Sequence, residues 1–379
     1  MDRAEFVIAG GGIAGAAVAW ALSEAGARDI IVLEAEPALF QHATGRNAAY
    51  FTPYYEKPEI TRLALASEPF LARPAEDFSS LPILGRQGAV LAAGQYGALA
   101  ADLEQSLARG VKATPISAAD VGELVPIVRI DNIAAALYFP DDGRIDVDAL
   151  AMGYVRTARR HGVRFECGRQ LTGITTHAGK IAAVATSKGP IVCDGVINAA
   201  GAWAGHVGTM AGATPIGFTP MRRHMIVVKL PPQYANAGWP FFIRPDAHLY
   251  FKPEAGRLLA CPIDEDPDRP GDCRTDDLRV AETADALNAQ TTLTIRHIER
   301  SWAGHRTMTV DRLPVLGPDP LIEGFTWAAG LGGAGVMTSP AVGRIVAAAV
   351  LETSGAMHAG THCTPDRFWL PPKPVEPSV

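Results

Sequence analysis

Gly10, Gly12 and Gly15 are spaced G-x-G-x-x-G, and the acid Glu34 follows at the interval of about 20 residues that accompanies dinucleotide binding. Each residue type has a physical task. Gly10 permits a sharp turn, and Gly12, without a side chain, lets backbone N–H groups approach a pyrophosphate. Gly15 lets a helix sit close to a strand. The helix N-terminus at Ile13 and Ala14 brings N–H donors and partial positive charge to the phosphates. Glu34, followed by Ala35, is suited to accept hydrogen bonds from both ribose hydroxyls of an adenosine. It would repel a 2′-phosphate, which disfavours NADP. The motif does not itself choose between FAD and NAD.

Other chemistry is sparse. The five cysteines (Cys167, Cys193, Cys261, Cys273 and Cys363) are scattered, odd in number and without C-x-x-C spacing. The ten histidines show no H-E-x-x-H pattern. Neither a metal site nor a disulfide framework is expected, and a reducing compartment fits. The net charge of −6 argues against nucleic acid as a partner. No apolar run reaches the roughly 18 residues of a membrane span. The chain enters a strand almost at once, without a basic n-region and cleavage site. These features predict a cytoplasmic protein with no transmembrane segment, peripheral membrane contact staying open.

The elements that must position these residues follow from the apolar pattern. Phe6–Ala9, a helix from Ala16 and Ile30–Leu33 form a β-α-β unit. Helices are predicted over 58–78, 97–109, 118–124, 147–161 (capped by Asp146), 283–292 and 340–351. Strands are predicted over 88–91, 163–166, 181–186, 191–193, 196–198, 225–230, 248–252, 258–261 and 326–329. Asp141-Asp142-Gly143-Arg144 reads as a turn, Pro262 to Thr275 as a polar loop and Pro371–Pro377 as a proline-rich tail. With 379 residues, about two domains are expected. The dinucleotide signature stands at the start and strand-to-glycine turns recur in the middle and near the end, so the dinucleotide domain is expected to be discontinuous.

Four blocks resemble the FAD-dependent D-amino-acid oxidase and glycine oxidase superfamily, and within it the D-amino-acid dehydrogenases of the D-arginine dehydrogenase type. The first is the fingerprint ending at Glu34. The second is Thr44-Gly45-Arg46-Asn47-Ala48-Ala49, which in such proteins lies against the flavin. The third is Val196-Ile197-Asn198-Ala199-Ala200-Gly201-Ala202-Trp203. The fourth is Ser301-Trp302-Ala303-Gly304-His305-Arg306, then Leu313-Pro314-Val315-Leu316-Gly317 and the loop Gly330-Leu331-Gly332-Gly333-Ala334-Gly335. The resemblance covers nearly the whole chain.

It implies an α/β fold with a Rossmann-like FAD-binding domain over 1–82, 144–216 and 305–379. An inserted antiparallel-sheet substrate-binding domain would take 83–143 and 217–304. With one dinucleotide fingerprint, rather than the two of an NAD-linked flavin reductase, the cofactor is expected to be FAD. No cysteine closely follows Arg306, where sarcosine oxidase relatives attach their flavin, so binding is expected to be noncovalent. Ala200, Gly201 and Trp203, and Gly330 to Gly335 running on into Val336, Met337 and Thr338, would hold the flavin. The last loop offers backbone donors to negative charge developing on it.

The implied substrate is a small amino acid, whose carboxylate suits a guanidinium. Arg306 matches the family's carboxylate-binding arginine. Arg222 and Arg223 are adjacent on a strand and face opposite sides, and the resemblance favours Arg223. Tyr250, read on one strand face with His248 and Lys252, matches a tyrosine that bonds the carboxylate. Tyr55 lies in a segment that forms a mobile lid in relatives, and Gly333 would offer its carbonyl to the substrate amine. The chain departs from D-arginine-type members at Tyr50, which stands for a histidine, at Gln87-Gly88-Ala89, which lacks their acid, and at Met337, which replaces a polar residue. A pocket favouring neutral or aromatic D-amino acids is expected, unless Glu56 supplies an acid. Glycine, sarcosine or a 2-hydroxy acid as substrate stays open, as does a non-catalytic FAD-bound assembly protein. The residues do not single out dioxygen, a quinone or an electron carrier as electron acceptor.

Overall fold

The computed structural model describes residues 2–352 and 362–369, so the predicted proline-rich tail lies outside the described residues. Strand Asp2–Ala9 is central to the first sheet, parallel to Ile30–Leu33 on one side and Ile191–Asn198 on the other. Arg164–Glu166 extends it beyond Ile30–Leu33, and Phe325–Ala329 runs parallel to the C-terminal end of Ile191–Asn198. Leu171–His177 and Lys180–Thr186 add an antiparallel edge. Ile30–Leu33 and Phe325–Ala329 are buried throughout, as strands covered on both faces must be. Helix Ile13–Glu24 packs against helix Gly335–Val350 so closely that a Cβ at Gly343 would lie 2.5 Å from the Ala17 carbonyl oxygen. Helix Val147–Arg160 completes this layer, with Tyr154 5.2 Å from Trp20. The result is a Rossmann-like layer whose strand C-termini (Ala9, Leu33, Asn198 and Ala329) lie along one edge.

In the second sheet, Asp266–Pro267, Thr219–Lys229, Arg257–Cys261, Leu249–Glu254, Phe241–Arg244, Ala89–Ala93, Ala135–Phe139 and Thr114–Ile116 lie side by side in that order. Only Phe241–Arg244 and Ala89–Ala93 are parallel neighbours among these. Arg300–Met308 pairs antiparallel with Thr219–Lys229 along its whole length. A third, small sheet joins Tyr50–Phe51, Gly143–Ile145 and Leu84–Arg86.

Several elements differ from the prediction for identifiable reasons. Helix Gly335–Val350 begins five residues before Pro340; the Val336 carbonyl, which a proline cannot serve, accepts from the Ser339 hydroxyl at 2.9 Å. Helix Asp277–Gln290 starts six residues before Thr283, because the Asp276 side chain caps it by accepting from the Leu278 N–H at 2.9 Å. The segment read as a turn at 141–144 enters strand Gly143–Ile145. His248 precedes strand Leu249–Glu254, with a left-handed φ of 48°, so it does not share a strand face with Tyr250. Arg300–Met308 runs unbroken across the expected boundary at 304/305, which puts Arg306 in the antiparallel sheet.

Candidate active site

The strand C-termini of the first sheet and one face of the second enclose a cavity of about 930 Å³. At one end stands the N-terminal glycine turn. Gly10 has φ 110°, and a Cβ there would fall 2.5 Å from the Ala199 carbonyl oxygen. A Cβ at Gly15 would fall 2.0 Å from the Gly10 carbonyl oxygen, so only glycine lets the helix start this close to the strand. Glu34 is locked in place: Oε2 accepts from the Gly11 N–H and Oε1 from the Glu36 N–H, each at 2.9 Å. The Thr44 hydroxyl accepts from the Ile13 N–H at 2.9 Å. The N–H groups of Gly12 and Ala14 take no partner among the described residues. Free donors at a helix N-terminus, a cradle that a Cβ would fill and a fixed acid suit a dinucleotide.

Gly10, Gly12, Ile13, Ala14, Glu34, Ala35, Thr44, Arg46, Asn47, Ala48 and Ala49 all line the cavity, as do Ala200, Gly201, Trp203, Gly330, Gly332, Gly333, Gly335, Val336 and Met337. Three expected cofactor residues do not line it: for Gly15 this agrees with its expected packing role, and for Gly45 and Thr338 it corrects a direct one. Gly15 is packed on Gly10, Gly45 sits against the Phe40 carbonyl, and the Thr338 hydroxyl is spent on the Ala334 carbonyl inside its helix. Arg46 lines the cavity, but its guanidinium turns to the Cys273 carbonyl at 2.9 Å and to Asp272 at 2.6 Å. The Asn47 side chain is folded onto its own turn, accepting from the Ala49 N–H at 2.6 Å. Gly330, Gly332 and Gly335 repeat the G-x-G-x-x-G spacing between strand Phe325–Ala329 and helix Gly335–Val350. This corrects the expectation of a single fingerprint. Both glycine turns open on the same cavity and build one site.

At the other end the period of two along the strands selects which side chains face inward. Arg223 pairs with Gly304, and Arg306 lies opposite Met221. Arg223, Met225, Gly304 and Arg306 therefore share the cavity face, and Tyr250 joins them from the neighbouring strand pair. Arg222 points the other way, its Nε 3.2 Å from Asp268. A Cβ at Gly333 would fall 3.0 Å from Arg306 Nη1 and 3.1 Å from the Tyr55 hydroxyl, so the glycine loop, the guanidinium and the phenol meet at one point. Arg306 has no hydrogen-bonded or ionic partner among the described residues, whereas Arg223 is paired with Glu265 at 3.1 Å. Tyr250 contacts Met225 Sδ at 3.6 Å, and burial pushes its pKa above the ordinary value.

Residues 5–349 match the FAD dependent oxidoreductase family (DAO). The chain belongs to that family. Its cofactor is FAD, and the glycine turns, Glu34 and Thr44 are the groups that fit it. Among similar proteins, FAD-dependent oxidoreductase domain-containing protein 1 of Bos taurus is 27% identical, over 93% of this chain and 82% of that protein. L-proline dehydrogenase from P. horikoshii has a TM-score of 0.87 at 23% identity, covering 97% of this chain and 98% of its own. Glycine oxidase from Geobacillus kaustophilus has a TM-score of 0.82 at 23% identity, covering 94% and 96%. At such identity these two structures share the fold.

The oxidoreductase has cavity residues that sequence reasoning missed. Asp142, from the segment read as a turn, lines the cavity although it is 1% exposed, and accepts from the Tyr50 hydroxyl. Its backbone carbonyl accepts from the N–H groups of Gln87 at 3.2 Å and Gly88 at 2.9 Å. Gln87-Gly88-Ala89 itself carries no acid, as expected, but the fold brings the backbone of Asp142 against this segment. The signal was the paired Asp141-Asp142 before a glycine, whose partner is distant in sequence. Burial raises the Asp142 carboxyl to about 7.

The Tyr55 segment is tied down from outside. Tyr54 donates to Asp102 at 2.9 Å, and Arg109 donates to the carbonyls of Tyr55 and Glu56. Glu56 itself is exposed at the cavity wall. Behind the sheet, buried His224 bonds Asp264 through Nδ1 at 2.6 Å and accepts the Asp276 N–H on Nε2 at 2.8 Å. This pins both ends of the segment that carries Glu265.

Asp268, Cys273 and His305 place three donor atoms within 4.8 Å of one another, a grouping that no spacing in the sequence suggests. The Arg222 guanidinium, 3.2 Å from the shared Asp268 carboxylate, holds positive charge where a metal ion would need room, and His305 is bonded to the same oxygen at 3.0 Å. The arrangement reads as a charge cluster that fastens the loop. All five cysteines are free, and no helix among the described residues is long and apolar enough to cross a membrane.

Proposed function

We propose that this oxidoreductase oxidises the Cα–N bond of a D-amino acid with a neutral or apolar side chain to an imino acid, which water then hydrolyses to a 2-oxo acid and ammonia. The observation that carries the reading is Arg306, a guanidinium unpaired among the described residues that faces the cavity beside Gly333 and the Tyr55 hydroxyl. A guanidinium without a protein acid calls for an anionic ligand group, and a carboxylate fits it bidentately. Tyr250 stays protonated under burial and donates to the same group. Arg223, neutralised in part by Glu265, adds long-range positive potential and leaves direct contact to Arg306.

FAD supplies the two-electron acceptor. The protein fixes the carboxylate and excludes bulk water so that Cα lies against the acceptor. The Cα–H bond breaks with both its electrons leaving the substrate, and the nitrogen lone pair closes the C=N bond. The amine must therefore arrive neutral, its extra proton having passed to water. No side chain is required as a base at carbon. The D configuration and the kinship to D-amino-acid dehydrogenases rest on the four sequence blocks. A cytoplasmic location and noncovalent attachment of FAD belong to the same reading.

The test is anaerobic mixing of the purified holoenzyme with D- and L-amino acids, glycine, sarcosine and 2-hydroxy acids, following flavin absorbance near about 450 nm. Bleaching by neutral D-amino acids supports the proposal. Bleaching by L-amino acids or 2-hydroxy acids alone, or ranking of D-arginine first, overturns it.

A further inference from the structure

Asp142 is a buried acid that forms no ion pair among the described residues. Its Oδ2 accepts from Tyr50. The Thr52 hydroxyl also stands beside both groups, but it donates to the Tyr54 carbonyl at 3.0 Å, which leaves Oδ1 without a hydrogen-bond partner among the described residues. The nearby cations are engaged elsewhere: Arg86 and Lys112 pair with Asp141 at 3.5 and 3.1 Å, and Arg144 pairs with Glu254 at 3.2 Å. The position is rigid, since the carbonyl of Asp142 takes two backbone donors and a Cβ at Gly143 would fall 2.3 Å from the Gly85 carbonyl oxygen. Tyr50 and Asp142 both line the cavity, and the Tyr50 ring lies 4.1 Å from that of Phe241, centroid to centroid. Leu91, Phe139 and Ile243 line the same cavity, with the Tyr54 ring stacked on Phe139. Because the Tyr50 proton is committed to Asp142, its oxygen presents only lone pairs to any further partner.

We propose that Tyr50 and Asp142 form a hydrogen-bond-accepting end of the side-chain pocket, selecting an amino acid whose apolar or aromatic side chain carries one N–H or O–H donor. The proposal rests on the amino-acid reading of the site given above. The partly exposed Tyr50 oxygen gains a partner when a donor arrives with the ligand, and the buried Asp142 carboxylate behind it fixes which way its own proton points. A neutral donor fits better than a cation. The rings around the acid offer little to solvate an ammonium group.

The experiment compares near-isosteric pairs in which only one member carries a polar donor group, at three side-chain depths: D-threonine with D-valine, D-asparagine with D-leucine, and D-tyrosine with D-phenylalanine. Flavin reduction is measured in the holoenzyme, in Asp142→Leu and in Tyr50→Phe. The donor-bearing member of at least one pair is expected to be favoured about tenfold in kcat/KM by the wild type, and the ratio to fall below about twofold in both variants. Equal use of both members of every pair, a ratio unchanged in either variant that retains FAD, or ranking of D-lysine first overturns the proposal. Tyr50→Phe keeps the question open to test should Asp142→Leu lose FAD. 4-Hydroxyphenylacetate and phenylacetate, which lack the amine, are titrated in parallel by their perturbation of the flavin spectrum. Tighter binding of the hydroxylated acid supports the accepting end even if no amino acid is oxidised, an outcome that would sink only the oxidation reading.

Discussion

Arg306 and Arg223 occupy the same sheet face, yet their surroundings give them different roles. Arg306 has no acid partner among the described residues, and Arg223 has Glu265. Replacing Arg306 by Met is expected to lower kcat/KM for a carboxylate substrate by about 100-fold, about 2.7 kcal/mol, with FAD content kept. Most of the loss should fall on KM, measured by steady-state kinetics. Asp142 makes a prediction of opposite character. Its folded pKa of about 7 lies above its ordinary 3.8, so the native state holds a proton that the unfolded chain gives up. The contribution of this group to stability is greatest below about pH 3.8 and is lost as pH rises through about 7. Urea unfolding at pH 5 and pH 8 should show a smaller decline in Asp142→Asn than in wild type if other groups titrate alike in both. An equal decline in the two proteins would remove the burial argument.

At the scale of elements, two close contacts set the geometry. Gly15→Val should abolish FAD binding, because its Cβ has nowhere to go 2.0 Å from the Gly10 carbonyl oxygen, and the absorbance of the purified variant reports this directly. Arg109→Ala removes the donor shared by the carbonyls of Tyr55 and Glu56. It should raise KM several-fold and make residues 52–57 more sensitive to limited proteolysis, with little change in thermal stability. The first element pair was readable from sequence because a buried parallel strand and a glycine turn leave a continuous apolar run and an invariable spacing. Edge strand Leu171–His177 was not readable: its residues are half-exposed and its pairing is broken by register shifts. Ala135–Phe139 gains strand identity from partners 20 or more residues away in sequence, and Phe241–Arg244 is only four residues long and lies parallel to the distant Ala89–Ala93. The same distance concealed Asp142, whose neighbours Tyr50 and Gln87 are brought to it by the small three-stranded sheet. Arg306 and Tyr250 were placed by motif resemblance. Their inward direction follows from the strand period, which also sends Arg222 outward.

At the scale of the whole molecule, the cavity separates two sheets that touch through Arg300–Met308 and the last glycine loop, where the Gly332 N–H donates to the Thr307 carbonyl at 3.1 Å. A ligand filling this space binds only the folded chain, so FAD at 1,000 times its dissociation constant adds about 4 kcal/mol. Removing FAD should lower the unfolding temperature by about 5 °C or more, read by differential scanning calorimetry. No shift would mean that the cavity closes without its cofactor. The small sheet of Tyr50–Phe51, Gly143–Ile145 and Leu84–Arg86 belongs to neither large one. It holds Tyr50 and leads in from Asp142, yet contributes neither the glycine turns nor Arg306. Heritable change can therefore accumulate in this patch while the electron-transfer apparatus is left alone. Descendants of one ancestral chain would diverge here first, keeping the reaction and exchanging the metabolite.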